Sequence, residues 1–167
     1  MTSKAFAGSI FAAVAMTVIA QAGQAAELAG SKPSSIVFIC EHGISKSLVA
    51  AMLFNRMAEQ RGLAVRAVSR AAGPQTLASK VPARLMQNLD GDGFPVRDFQ
   101  PQAVTPADAA GATRVVVIGY DGSIDAIGNE AAEHWDDVPP ASVEYDDAKR
   151  KITSHIETLL RDLDGGR

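Results

Sequence analysis

At 167 residues, 47% hydrophobic and with a formal charge of −3, the chain has room for one globular domain with a full core. No basic run exceeds Lys149-Arg150-Lys151, which argues against a nucleic-acid-binding surface. The single cysteine, Cys40, rules out an internal disulfide.

Lys4 leads into an apolar run of small residues over 5–20, and Gln21-Ala22-Gly23-Gln24-Ala25-Ala26 precedes Glu27. This pattern predicts a secretory signal peptide over 1–26, cut near Ala22, Ala25 or Ala26. The run is short for a membrane span, although an uncleaved N-terminal anchor has the same outline. Cleavage would remove only Lys4 among charged residues, taking −3 to −4. The expected location is periplasmic or secreted, with no membrane attachment after cleavage. Residues 27–34, ending in Ser31-Lys32-Pro33-Ser34, read as a linker, and 35–167 as the folded domain.

Residues 36–39 form a continuous apolar run, as in a strand buried on both faces of a parallel sheet. Over 46–61, Leu48, Val49, Met52, Leu53 and Met57 recur at helical spacing, and Gly62 marks the stop. A second strand is expected over 65–69. A helix follows over 82–89, with proline in its first turn. Residues 94–104 show no period and read as a surface loop. Thr105-Pro106-Ala107-Asp108 has the form of a helix start, with a Thr cap and an acid three residues later. Val115-Val116-Val117-Ile118 gives another buried strand, and 146–163 a final amphipathic helix. Strands alternating with helices predict a three-layer α/β domain with a central, mostly parallel sheet.

In such a sheet, ligands bind beyond the carboxyl ends of the strands. Cys40 lies there, where the first strand passes into the first helix. A lone cysteine of this kind is either a buried, inert residue or a reactive thiol. The backbone amides of Glu41, His42, Gly43, Ile44, Ser45, Lys46 and Ser47 can converge on an anion, and the helix end adds a positive dipole. The same groups stabilise a thiolate nucleophile. Gly43 suits a left-handed turn, Ser47 can donate to the sulfur, and Lys46 adds positive charge.

Cys40 with Lys46-Ser47 after it, between a strand and a helix, resembles the active-site loop of the low-molecular-weight protein tyrosine phosphatases and the related thioredoxin-coupled arsenate reductases. Their loop reads Cys-x5-Arg-Ser. Val68-Ser69-Arg70-Ala71-Ala72-Gly73 is similar to the family's Ser-Ala-Gly segment. Residues 105–121 resemble its helix and third strand, which ends in an aspartate near the site, here Asp121. His134-Trp135 followed by Pro139-Pro140 is similar to the region that carries the family's Asp-Pro general acid. The resemblance implies a four-stranded sheet of that family's kind. It also implies Cys40 as nucleophile on a phosphate monoester, Ser47 as its stabiliser, Lys46 in the arginine position, and Asp136 or Asp137 as the acid. Phosphate or a similar oxyanion is then the expected partner, with a phosphorylated protein as one source of it, and no cofactor is required.

The loop departs from that pattern in ways that predict weakened catalysis. Lysine lacks arginine's planar fork, and losing one such contact costs roughly 10²–10³ in rate. Where the family proline aligns with Pro140, the acid position holds Pro139, and missing general acid catalysis costs about another 10²–10⁴. Glu41 places negative charge at the mouth, to be offset by His42 or Lys46. Arsenate reduction would need thiols from a partner. An inactive protein that binds an oxyanion or a phosphorylated partner, and a redox role for Cys40, are the alternatives. Cys40 and His42 do not form part of a metal-binding cluster by spacing. His134, His155 and Trp135 read as packing or solvent-edge residues.

Overall fold

The computed structural model describes residues 35–128 and 131–165; the expected signal peptide and the linker lie outside them. The described residues form one compact α/β unit. β1 (Ser35–Cys40) enters a loop, then α1 (Lys46–Gln60), β2 (Arg66–Ala71) and α2 (Ala83–Gly91). α3 (Pro106–Gly111), β3 (Arg114–Ile118), a 3-10 turn (Asp125–Ile127), β4 (Ala132–Trp135) and α4 (Tyr145–Gly165) follow. The strand order is β2-β1-β3-β4, and every pairing is parallel. Among the described residues, no helix is long and apolar enough to cross a membrane.

β1 lies at the centre, and its alternating side chains feed two cores. Ile36 and Phe38 face a large core shared with Leu48, Phe54, Ile152 and Ile156 of α1 and α4. Val37 and Ile39 face a smaller one with Val104, Val117 and Ile124 on the α3 side. Alternation therefore turns Cys40 toward the α1 layer. Phe38 packs against Phe54 and Trp135, with ring centroids 5.9 and 5.3 Å away. This aromatic contact ties β1 to α1 and to the sheet edge.

Three segments depart from the residue-pattern reading. The pattern located three strands, and the fourth, Ala132–Trp135, has only one buried side chain, so its sequence carries no strand-like stripe. The expected surface loop over 94–104 is irregular yet contributes Phe94, Val96 and Val104 to the core. It also pairs with the edge of β2: the Ala71 amide donates to the Gln102 carbonyl, and the Val104 amide to the Ala71 carbonyl. Pro82 is the cap of α2 rather than a residue of its first turn.

Candidate active site

Cys40 ends β1 and is 3% exposed. Its Sγ lies 3.0 Å from Ser47 Oγ, which lies 2.8 Å from Ser69 Oγ. Ser69 Oγ donates to the Gly43 carbonyl at 3.1 Å. Ser47 and Ser69 are the buried polar side chains of the described residues, and both are used here. A carbonyl can only accept, so the Ser69 hydrogen is committed to Gly43, and Ser69 accepts from Ser47. Ser47 then accepts from the Cys40 thiol. The neutral thiol thus completes a one-way chain of hydrogen bonds.

The loop above the sulfur is shaped by Gly43, whose φ is 70°. A Cβ there would come within 2.6 Å of the Ala71 amide nitrogen, so only glycine lets the loop lie against β2. Ser45 caps α1 without any side-chain hydrogen bond. The amides of residues 44–48 donate to no protein acceptor among the described residues. These are the orphan donors of a helix N-terminus, left open next to the thiol. His42 Nδ1 donates to the Thr76 carbonyl at 2.9 Å, and its Nε2 is 3.8 Å from Glu41. Both side chains are exposed at the loop rim. Lys46 begins α1, and its ammonium donates to the Gly119 carbonyl at 2.9 Å.

The structure thus gathers Cys40, Ser47 and Gly43 in one network, with Ile44, Ser45 and Lys46 supplying backbone around it. The two candidate acids are not joined to it. Asp137 accepts from His155 Nε2 at 2.7 Å and lies 3.7 Å from Lys151, both on α4. The hydrogen bond with His155 holds the Asp137 carboxyl below its usual range, against the opposing effect of burial. Asp136 is exposed. Asp121 is exposed beyond the end of β3 and makes no ion pair among the described residues. His134 is exposed on β4, whereas His155 stacks on Trp135 with centroids 4.6 Å apart. A cleft of about 470 Å³ opens beside the loop, lined by Ala72, Thr76, Val104, Pro106, Tyr120 and Asp125. Among the described residues, no group of three or more His, Cys, Asp or Glu side chains could hold a metal ion.

The family model for low molecular weight phosphotyrosine protein phosphatases matches residues 35–161. The chain belongs to that family. No match is found among curated proteins. Solved structures share the phosphatase fold at low identity. YfkJ from Bacillus subtilis is 18% identical with a TM-score of 0.68, over 83% of this chain and 99% of its own. A thioredoxin-dependent arsenate reductase of Corynebacterium glutamicum is 17% identical with a TM-score of 0.66, over 86% of this chain and 68% of its own. A protein tyrosine phosphatase from Entamoeba histolytica is 13% identical with a TM-score of 0.63, over 80% and 97%.

Within this phosphatase-family site, two residues escaped the candidate list read from sequence. Ser69 carries the second hydroxyl of the network, and Gly119 accepts from Lys46. A serine inside a strand of otherwise apolar or edge residues was the available signal for Ser69. Gly119 had none, because a lone glycine after a strand does not show which side chain will reach its carbonyl.

Proposed function

We propose that the protein is a cysteine-dependent phosphatase of weak turnover, acting on phosphate monoesters of the phosphotyrosine type in the periplasm or outside the cell. The observation that carries this reading is a buried thiol hydrogen-bonded to Ser47 at 3.0 Å beneath amides that have no protein acceptor among the described residues. The thiolate attacks phosphorus, the ester P–O bond breaks, and the phosphoryl group passes to Sγ. The loop amides and Lys46 carry the charge on the non-bridging oxygens. Water then cleaves the P–S bond and releases inorganic phosphate.

The leaving oxygen receives its proton from water in this scheme. Asp137 is clasped by α4 and holds its proton weakly, so it is poorly suited to general acid catalysis. That clasp favours a second reading, in which the loop captures phosphate or a phosphorylated partner without turnover. A thiol redox or arsenate-reductase-like role would need a second thiol from a partner, since the chain has one cysteine.

Hydrolysis of p-nitrophenyl phosphate, whose leaving group needs no acid, separates these readings. The expected result is slow release of nitrophenol that disappears in Cys40→Ser. Phosphate binding that persists in Cys40→Ser without any turnover in the parent protein selects the capture reading. Neither turnover nor binding would make the loop purely structural.

A further inference from the structure

We propose that Gly119 is the positioning residue for Lys46, so that lysine in the loop and glycine at the end of β3 form a matched pair. The inference deepens the reading of residues 41–47 as an anion-binding loop and rests on it. The Lys46 ammonium donates to the Gly119 carbonyl at 2.9 Å. Gly119 has φ 52°, and a Cβ built on it would overlap the Lys46 ammonium. The Gly119 amide in turn donates to the Trp135 carbonyl at 3.1 Å, so β4 braces the peptide that forms the seat. The backbone conformation, the space and the acceptor thus all depend on glycine at one position.

The seat differs from an ion pair in its effect on charge. No carboxylate of the described residues is paired with Lys46; Asp121, two positions beyond Gly119, is exposed and unpaired. A neutral carbonyl orients the ammonium without cancelling its charge, whereas a carboxylate would cancel it. An ammonium carries three donors, so two remain for an incoming oxyanion. Arginine presents a planar fork on a differently shaped stem and would not fit this seat in the same way.

The test is a double-mutant cycle on inorganic phosphate affinity, measured by calorimetry on the mature protein. Gly119→Ala is expected to weaken binding about tenfold when Lys46 is present, and less than about twofold in Lys46→Ala. Equal losses in both backgrounds would mean a merely structural glycine and overturn the pairing, as would unchanged affinity in Gly119→Ala. Gly119→Asn also carries a Cβ but tolerates positive φ, and it replaces the alanine variant in the cycle if that variant does not fold. A second readout does not need anion binding: the rate at which Lys46 is reductively methylated, compared by mass spectrometry with exposed Lys80. Lys46 is expected to react more slowly than Lys80, with that protection lost in Gly119→Ala. Equal rates in the parent protein would refute the seat. If the parent protein neither binds phosphate nor hydrolyses p-nitrophenyl phosphate, the proposed function falls, while the methylation rates still decide the seat.

Discussion

Two helices of this protein start in opposite ways. α3 opens with a complete capping box: Asp108 donates its amide to Thr105 Oγ1, and the Asp108 carboxylate accepts from the Thr105 amide. Pro106 fills the first turn, and Arg70 grips the same carboxylate through two nitrogens at 3.0 and 3.1 Å. α1 opens with a serine whose side chain caps nothing and with amides that find no acceptor. A missing cap costs about 1 kcal/mol, which burial of Leu48, Val49, Leu53 and Phe54 offsets. One helix start serves the fold. The other leaves its amides open, as the proposed anion-binding role requires.

Several substitutions would break or sharpen this contrast. Gly43→Ala should do the most damage, about 3 kcal/mol in urea unfolding, because positive φ and the Ala71 amide both oppose a side chain. A loss below about 1 kcal/mol would show that the loop can lift off β2 at little cost. Ser45→Asp should cap α1 from within. The expected outcome is a higher melting temperature with phosphate affinity reduced about tenfold, since the new carboxylate takes the donors meant for the ligand. Higher stability with intact binding would place the anion elsewhere. At α3 the trade-off should vanish: Thr105→Ala is expected to cost about 1 kcal/mol and leave phosphate affinity unchanged.

The smallest effect concerns acid. Burial works to raise the Asp108 carboxyl, but the hydrogen bonds from Arg70 and Thr105 outweigh it and hold the group below its ordinary value of 3.8. As pH falls, the unfolded chain binds this proton before the folded protein does. The stabilisation is therefore present above about pH 4 and lost as pH drops through the lower folded value. Asp108→Asn should reduce the decline in urea midpoint between pH 5 and pH 3. An unaltered decline would assign it to Asp92 and Asp137, whose carboxyls are also held low.

Most of the fold was legible because its elements announce themselves locally. The four-valine-like run at 115–118 and the stripe Leu48, Val49, Met52, Leu53 need only one strand or one helix to explain them. The capping box at Thr105 is likewise local. β4 was hidden because Ala132–Trp135 buries only Trp135, so its pairing with β3 is decided by the sheet and not by its own residues. Residues 94–104 misled for the converse reason, since a chain can bury Phe94, Val96 and Val104 without any regular period. At the site, Cys40, Gly43 and Ser47 were visible through motif spacing. Ser69 lies on β2 and Gly119 directly follows β3, and strand order brings both beside the loop.

The hydroxyl chain from Cys40 to Gly43 has a further consequence. With a thiol, the hydrogens run from sulfur through Ser47 and Ser69 to the Gly43 carbonyl. A thiolate has no hydrogen to give, so Ser47 must turn its own toward the sulfur, and Ser69 must turn toward Ser47. The Gly43 carbonyl then loses its donor. Ionisation of the sulfur is thereby passed to the backbone of the loop at Gly43. Two serines make the charge of one buried atom a property of the whole loop.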